Sequence, residues 1–415
     1  MTSGALGRRG DPWLFAVCAS RTFGTLMFMT YAAALPLLLD AWALTGTTAG
    51  SISTGFQIGY AISLMVASWL ADRLGARRVF LWSAVASAVT ALLFAAFARS
   101  YWSALVLYTL VAVSQGGTYT TVIMLIADRY PPARRGAAVG WLIAASSLGY
   151  ALSLVLSGLA MRWGGYPLSF AVTAAGPVIA LALTWFALRE TSTVVHPRGA
   201  GLHFASAVLK NREAVKLMSG YTFHSWELLG MWAWMPTFVA ASLAVSGAGA
   251  GRAVEIGSYL SASFHVMGLV SSWSMGVLSD RWGRREVLVT VAATSTVCSF
   301  VFGWLIGAPP AIVFLVGALY GFAALGDSPV LSTAFTEAVS PAYLGSGLAL
   351  RSLLGFGAGA IAPLAFGAIL DLTNPPGLRT HWGWAFVSLG LGGAGATACA
   401  WALAQTRPSG PVTTS

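Results

Sequence analysis

Apolar stretches of about 20 residues without a charge recur along this chain, separated by short polar strings. Each is long enough to cross a hydrocarbon core of roughly 30 Å as a helix. Only 9% of the residues are charged and 57% are hydrophobic; a soluble domain carries about a quarter charged residues. That balance excludes a water-soluble fold and leaves an all-α membrane protein.

Twelve spans, centred near residues 26, 59, 89, 114, 148, 177, 229, 267, 297, 322, 356 and 393, account for the runs. The first, from Trp13 to Leu39, is too long for a signal-peptide core and reads as a retained helix. With both termini placed in the cytoplasm, 17 of the 23 Lys and Arg fall in cytoplasmic segments, four in outer loops and two within spans. This is the positive-inside pattern. It explains the net charge of +10 without nucleic acid, because no soluble domain carries a basic face. The expectation is a monomeric, multi-pass protein of a bacterial inner membrane. Cys18, Cys298 and Cys399 lie far apart inside apolar runs and fit neither a disulfide framework nor zinc spacing. No metal and no cofactor are expected.

Two polar strings repeat. Ala71-Asp72-Arg73-Leu74-Gly75-Ala76-Arg77-Arg78 returns as Ser279-Asp280-Arg281-Trp282-Gly283-Arg284-Arg285, 208 positions later. Asp128 with Pro132 and Gly136 returns as Glu337 with Pro341 and Gly345, 209 positions later. Two independent landmarks thus agree on one internal duplication: a six-helix bundle over 1–188, a cytoplasmic linker over 189–213, and a second six-helix bundle over 214–415. Residues 203–210 of the linker suit a short helix lying on the membrane surface. Duplication of this kind in a membrane protein points to a transporter with its site between the halves.

On these residues the chain resembles the major facilitator superfamily along essentially its whole length. The family's loop signature between spans two and three reads Gly-x-Leu-Ala-Asp-Arg-x-Gly-Arg-Arg or close to it. Leu70 to Arg78 matches it, with Ser68 in place of the leading Gly, and Gly276 to Arg285 is a nearly complete second copy. The resemblance implies two pseudo-symmetric bundles working by alternating access, with small-molecule cargo and the bilayer as partners. It also implies that Asp72, Arg73, Gly75, Arg77 and Asp128, with Asp280, Arg281, Gly283, Arg284 and Glu337, form a cytoplasmic gate. The chemistry is compatible. Asp72 and Asp280 can face the positive end of a neighbouring helix, Gly75 and Gly283 permit a tight turn, and the arginines can pair with Asp128 and Glu337.

Four ionisable residues besides histidine fall within spans: Arg21, Glu227, Asp327 and Arg351. Each costs several kcal/mol if it faces lipid at the bilayer centre. A rise of 1.5 Å per residue puts all four about 12–16 Å deep, near the midplane. Spans three, six, nine and twelve carry no charge in their interiors; these are the helices the family places against lipid. The charges therefore mark a central polar site. Arg21 and Arg351, from opposite halves, suit a carboxylate or another small oxyanion through bidentate hydrogen bonds. Their rival role is ion pairing with Glu227 and Asp327. Glu227, with Asp327, is the candidate for proton coupling, and His224, at i and i+3 from Glu227, is placed on the same helix face. Gln115 and Tyr119 are polar enough to orient a ligand, although bundle hydrogen bonds explain them equally well. His265 reads as a buried, satisfied histidine. Gly355, Gly357 and Gly359 before Pro363 allow close packing in span eleven.

The expected function is secondary active transport of a small organic anion coupled to protons. Proton-driven efflux of amphiphilic compounds is the alternative. The exporters' Gly-Pro-x-x-Gly-Gly is missing from span five, which reads Gly149-Tyr150-Ala151-Leu152-Ser153-Leu154, and this counts against efflux. The Gly- and Asn-rich signature of nitrate carriers is missing as well. A non-transporting sensor of the same fold lacks a loop with room for a signalling domain. No metal cluster, nucleotide loop or nucleophile motif suggests an enzyme.

Overall fold

The computed structural model describes residues 11–193, 208–339, 344–375 and 380–404, and the backbone alone of 132–137 and 344–346. Residues 194–207, which hold most of the expected linker and its surface helix, lie outside the described residues, as does Pro341.

Among the described residues all regular secondary structure is helical. The chain runs through α1 (Pro12–Gly24), α2 (Thr30–Ala41), α3 (Gly46–Leu74), α4 (Ala76–Phe97), α5 (Tyr101–Arg129) and α6 (Pro132–Leu188). It continues through α7 (Arg212–Val245), α8 (Ala250–Trp282), α9 (Arg284–Phe302), α10 (Pro310–Ala338), α11 (Leu344–Thr373) and α12 (Gly383–Trp401).

Local chemistry sets these boundaries. Asp11 caps α1 by accepting from the Trp13 N–H at 2.9 Å, and Asn211 caps α7 through the N–H groups of Glu213 and Ala214 at 3.1 Å. Thr45 and Thr48 form a reciprocal capping box at the start of α3. The repeated strings fold into the same turn twice. Gly75 (φ +88°, ψ 139°) ends α3 and opens α4, and Gly283 (φ +102°, ψ 149°) ends α8 and opens α9. Their N–H groups donate to Ala71 O and Ser279 O at 2.9 and 3.1 Å. A side chain with a Cβ resists such positive φ values, so the expected glycine requirement is met at both turns.

Among the described residues eleven segments are long and apolar enough to cross a membrane, where the sequence suggests twelve. The difference lies in α6, whose 57 residues contain a break at Gly164 (φ −148°) and Gly165 (φ +62°). Thr22 Oγ1 donates to Ala145 O and Ser20 Oγ to Ala180 O, each at 3.0 Å. Ala145 and Ala180 flank the break at similar distances and meet neighbouring residues of α1, so the two arms of α6 run side by side. The first crossing is also interrupted, by a 3-10 turn at Thr25–Met27 between α1 and α2. Side chains satisfy the carbonyls this break releases: Gln115 Nε2 donates to Gly24 O at 3.0 Å, and Tyr108 Oη to Phe28 O at 2.8 Å.

The turns at Gly75 and Gly283 mark one end of the bundle, called here the motif end. At the opposite end α3 packs directly on α11. A Cβ on Gly50 would lie 2.2 Å from Pro363 O, and one on Gly367 would lie 2.0 Å from Gly46 O, so only glycine allows this approach. Close packing of α11 extends inward. A Cβ at Gly355 would fall 2.4 Å from the Tyr221 ring, and one at Gly359 2.6 Å from Leu229. Several polar contacts join the first six helices to the last six at this far end. Asp371 accepts from the N–H groups of Gly46 and Thr47 at 2.6 and 2.7 Å, Thr54 Oγ1 donates to Ala360 O at 2.5 Å, and Arg162 lies 3.6 Å from Glu255.

Candidate functional site

Arg21, on α1, is 8% exposed in the interior. Its Nε donates to Ser146 Oγ at 2.8 Å and its Nη1 to Thr118 Oγ1 at 3.4 Å, so α6 and α5 hold it in place. Its guanidinium carbon lies 4.9 Å from the centre of the Tyr119 ring. Arg351, on α11, is also 8% exposed. It rests 4.2 Å from the Tyr221 ring and 5.6 Å from the Phe335 ring. Nη1 donates to Ser332 Oγ at 3.2 Å, and its buried Nε has no partner among the described residues. Tyr119 is within electrostatic range of both guanidinium groups and of Tyr60 and Tyr221. These two arginines from opposite ends of the sequence therefore both act on one tyrosine, and the polar region around the three is called the chamber.

The two buried acids do not pair with them. Asp327 Oδ1 on α10 lies 2.9 Å from His224 Nδ1 on α7, and His224 Nε2 lies 2.9 Å from Ser328 Oγ. Glu227 accepts from Ser295 Oγ of α9 at 2.9 Å and approaches Gly393 of α12. Their mutual neutralisation with Arg21 and Arg351, left open by the sequence, is not what the side chains do. The physical reason is helical rotation. Three residues leave the two side chains about 60° apart around α7 and about 4.5 Å apart along it, enough for His224 to meet α10 while Glu227 meets α9 and α12. Glu227 also stands deeper than the 12–16 Å given above. Because α7 begins at Arg212, it is roughly 22 Å from the helix start, against roughly 10–17 Å for the other three.

Guanidinium charge buried without a carboxylate is costly in a low-dielectric interior. Aromatic faces and hydroxyls offset part of that cost, but no described acid cancels either charge. The chamber is positive.

The chain aligns with known proteins over most of its length. The Major Facilitator Superfamily model matches residues 17–275. The chain belongs to the Major Facilitator Superfamily. Among relatives, a protein named "Probable 4-methylmuconolactone transporter" from Cupriavidus pinatubonensis is 25% identical, covering 78% of this chain and 76% of its own. The hexuronate transporter of Bacillus subtilis is 23% identical over 82% of this chain and 83% of its own. Multidrug resistance protein MdtG of Citrobacter koseri is 29% identical over 69% of this chain and 71% of its own. In structure, the nucleoside transporter NupG superposes with a TM-score of 0.74 at 14% identity, over 95% of this chain and 99% of that one. This superfamily member is thus an all-helical, multi-span transporter.

The motif-end residues are also in place. Arg284 holds Glu337 with two bonds, Nη2 to Oε1 at 2.9 Å and Nε to Oε2 at 3.3 Å, and lies 2.6 Å from Asp280. Arg77 Nε donates to Leu188 O at 2.8 Å, and Arg73 stacks 3.7 Å from the Trp69 ring. Asp72 has interactions of its own, as does Asp128, while Arg281 is exposed. Gln115 gives its Nε2 to the α1 break through Gly24 O, and its buried Oε1 has no partner among the described residues.

Sequence reasoning did not single out Tyr60, Tyr150 and Tyr221 as site residues, although all three interact electrostatically with an arginine of the chamber. In a chain that is 12% aromatic, a tyrosine is a weak signal. The usable one was a hydroxylated ring inside the apolar runs of spans two, five and seven.

Proposed function

We propose that this protein is a secondary active transporter that moves a small organic anion, a carboxylate, by alternating access and couples it to protons. In this reading twelve crossings form two six-helix halves, 1–188 and 214–415, joined by a linker over 189–213. Both termini lie in the cytoplasm of a bacterial cell, and the protein works as a monomer in the inner membrane. The observation that carries it is the pair of buried guanidinium groups with no carboxylate partner among the described residues, while Asp327 and Glu227 lie against other groups. A bound carboxylate supplies the missing charge, and two planar donor forks hold it with directional bonds. Tyr119, between the two arginines, orients the ligand, and His224 with Asp327 borders the same chamber. Asp327 and Glu227 are the proton carriers, and His224 bridges the proton toward the substrate side. The motif-end contacts of Asp72, Arg73, Gly75, Arg77, Asp128, Asp280, Arg281, Gly283, Arg284 and Glu337 form the cytoplasmic gate. The hexuronate relative supports an anionic cargo.

The multidrug relative favours a second reading, efflux of amphiphilic compounds. A positive chamber opposes it for cations. Uptake into proteoliposomes separates the two when organic anions and amphiphilic cations are compared with and without a pH gradient. Anions accumulating under an inward proton gradient support the carboxylate reading; transport of cations alone overturns it.

A further inference from the structure

The chamber is two-layered. Counted along the helices, Arg351, Arg21, Tyr221 and Tyr119 stand roughly 10–15 Å from the motif end. Beyond them, at roughly 18–30 Å, comes a second layer made almost wholly of flat rings: Phe28, Tyr60, Tyr150, Trp232, His265 and Phe356. The rings touch across the two sets of helices. Tyr60 meets Phe356 at 6.0 Å, edge to face, and Tyr150 meets Trp232 at 5.5 Å and His265 at 6.0 Å. Phe28 joins them, 5.1 Å from Tyr60 and 5.2 Å from Tyr150. Phe28, Tyr150, Trp232 and Phe356 pack against the hydrophobic core yet stay partly exposed. Tyr60 and Tyr150 connect the layers, since both interact with Arg21.

We infer that the cargo is an aromatic or similarly flat, conjugated carboxylate, its anionic end on Arg21 and Arg351 and its ring among the aromatic side chains. The inference rests on the carboxylate reading above. Rings favour offset-stacked and edge-to-face partners over saturated ones of equal area. The far end of the ring layer is closed by the contact of α3 with α11, so the ring end of the ligand points away from the motif end.

The test is binding of labelled benzoate and phenylacetate to the purified full-length protein. Cyclohexanecarboxylate, cyclohexylacetate and benzamide serve as competitors. Two or more aromatic faces predict a preference of about tenfold for each aromatic acid over its saturated counterpart, with benzamide displacing neither. Tyr150→Leu should reduce that preference to under about threefold, while Tyr150→Phe, which keeps the ring, retains it. Equal binding of aromatic and saturated acids, with benzamide inert, overturns the aromatic cargo and leaves the carboxylate reading intact. Benzamide competing as well as benzoate overturns the carboxylate reading itself. No binding of either labelled acid also overturns the aromatic cargo.

Discussion

His224 and Asp327 meet at 2.9 Å across the α7–α10 interface, and this pairing engages a buried carboxylate away from either arginine. Imidazole and carboxylate are within ion-pair distance inside one set of helices, and no described carboxylate comes that close to Arg21 or Arg351. In the function proposed above, this pair belongs to the coupling machinery. Asp327→Asn is therefore expected to lower pH-gradient-driven accumulation at least about tenfold, the scale of a lost general acid–base group, while substrate counterflow at equal pH persists. Unchanged gradient-driven accumulation would remove the coupling role from Asp327.

The far end is held by Asp371, which accepts from Gly46 N, Thr47 N and Thr47 Oγ1 at the N-terminus of α3. A carboxylate at a helix start gains from the free N–H groups and the helix dipole together. Asp371 is largely exposed, so solvent discounts this latch to about 1 kcal/mol, or roughly a fivefold population shift. In a background lacking Cys18, Cys298 and Cys399, Ser53→Cys is expected to react several-fold faster with an impermeant maleimide added outside cells when Asp371 is replaced by Ala. Equal labelling rates would show that the glycine contacts of α3 with α11 hold this end alone.

Gly75→Ala and Gly283→Ala each force a Cβ into positive φ, at a cost of about 1–3 kcal/mol. Each variant should melt below the parent protein in detergent, and the two effects should add because the turns are separate. A melting temperature equal to the parent's in both variants would mean that the turns relax without strain.

At the start of α1, Asp11 shows how the motif end depends on pH. Partial burial raises its pKa, but the Tyr130 hydroxyl, the Trp13 N–H and the Arg129 guanidinium outweigh this, and the net value is lowered. Tyr130, with burial and this hydrogen bond acting together, is pushed up to about 12. A lowered carboxyl pKa contributes stability that is full above the unfolded value near pH 4 and is lost as pH falls through the folded one. Asp11→Asn should therefore destabilise at neutral pH, by less than about 1 kcal/mol given its exposure, and make no difference at strongly acid pH. A deficit that persists unchanged in acid would contradict the sign of the shift.

The fold was largely readable from the chain. Charge-free runs gave the crossings, and the repeated Asp-Arg-x-Gly strings gave two turns with matching backbone angles. The doubled arm at Gly164–Gly165 shows the limit of that reading. Hydropathy counts two crossings there, while only backbone angles reveal how one helical run bends into both. Buried charges at Arg21, Glu227, Asp327 and Arg351 were correctly placed inside the protein, because lipid cannot shelter them. Their partners were not legible. Whether Asp327 meets an arginine or His224 depends on rotation about α10 and on the approach of α7, which a one-dimensional pattern does not encode. The aromatic layer was hidden for the opposite reason: rings are so common in this chain that those facing the chamber look like those facing lipid.

The most direct test is the affinity of Arg21→Gln and Arg351→Gln proteins for an organic anion that the parent accumulates in proteoliposomes. Each arginine is expected to donate charge-assisted hydrogen bonds to the ligand, so each Gln variant should bind about ten- to hundredfold more weakly. Arg→Lys variants, which keep the charge and lose the fork, should fall in between. Unchanged affinity in both Gln variants would contradict an anion held between the two guanidinium groups.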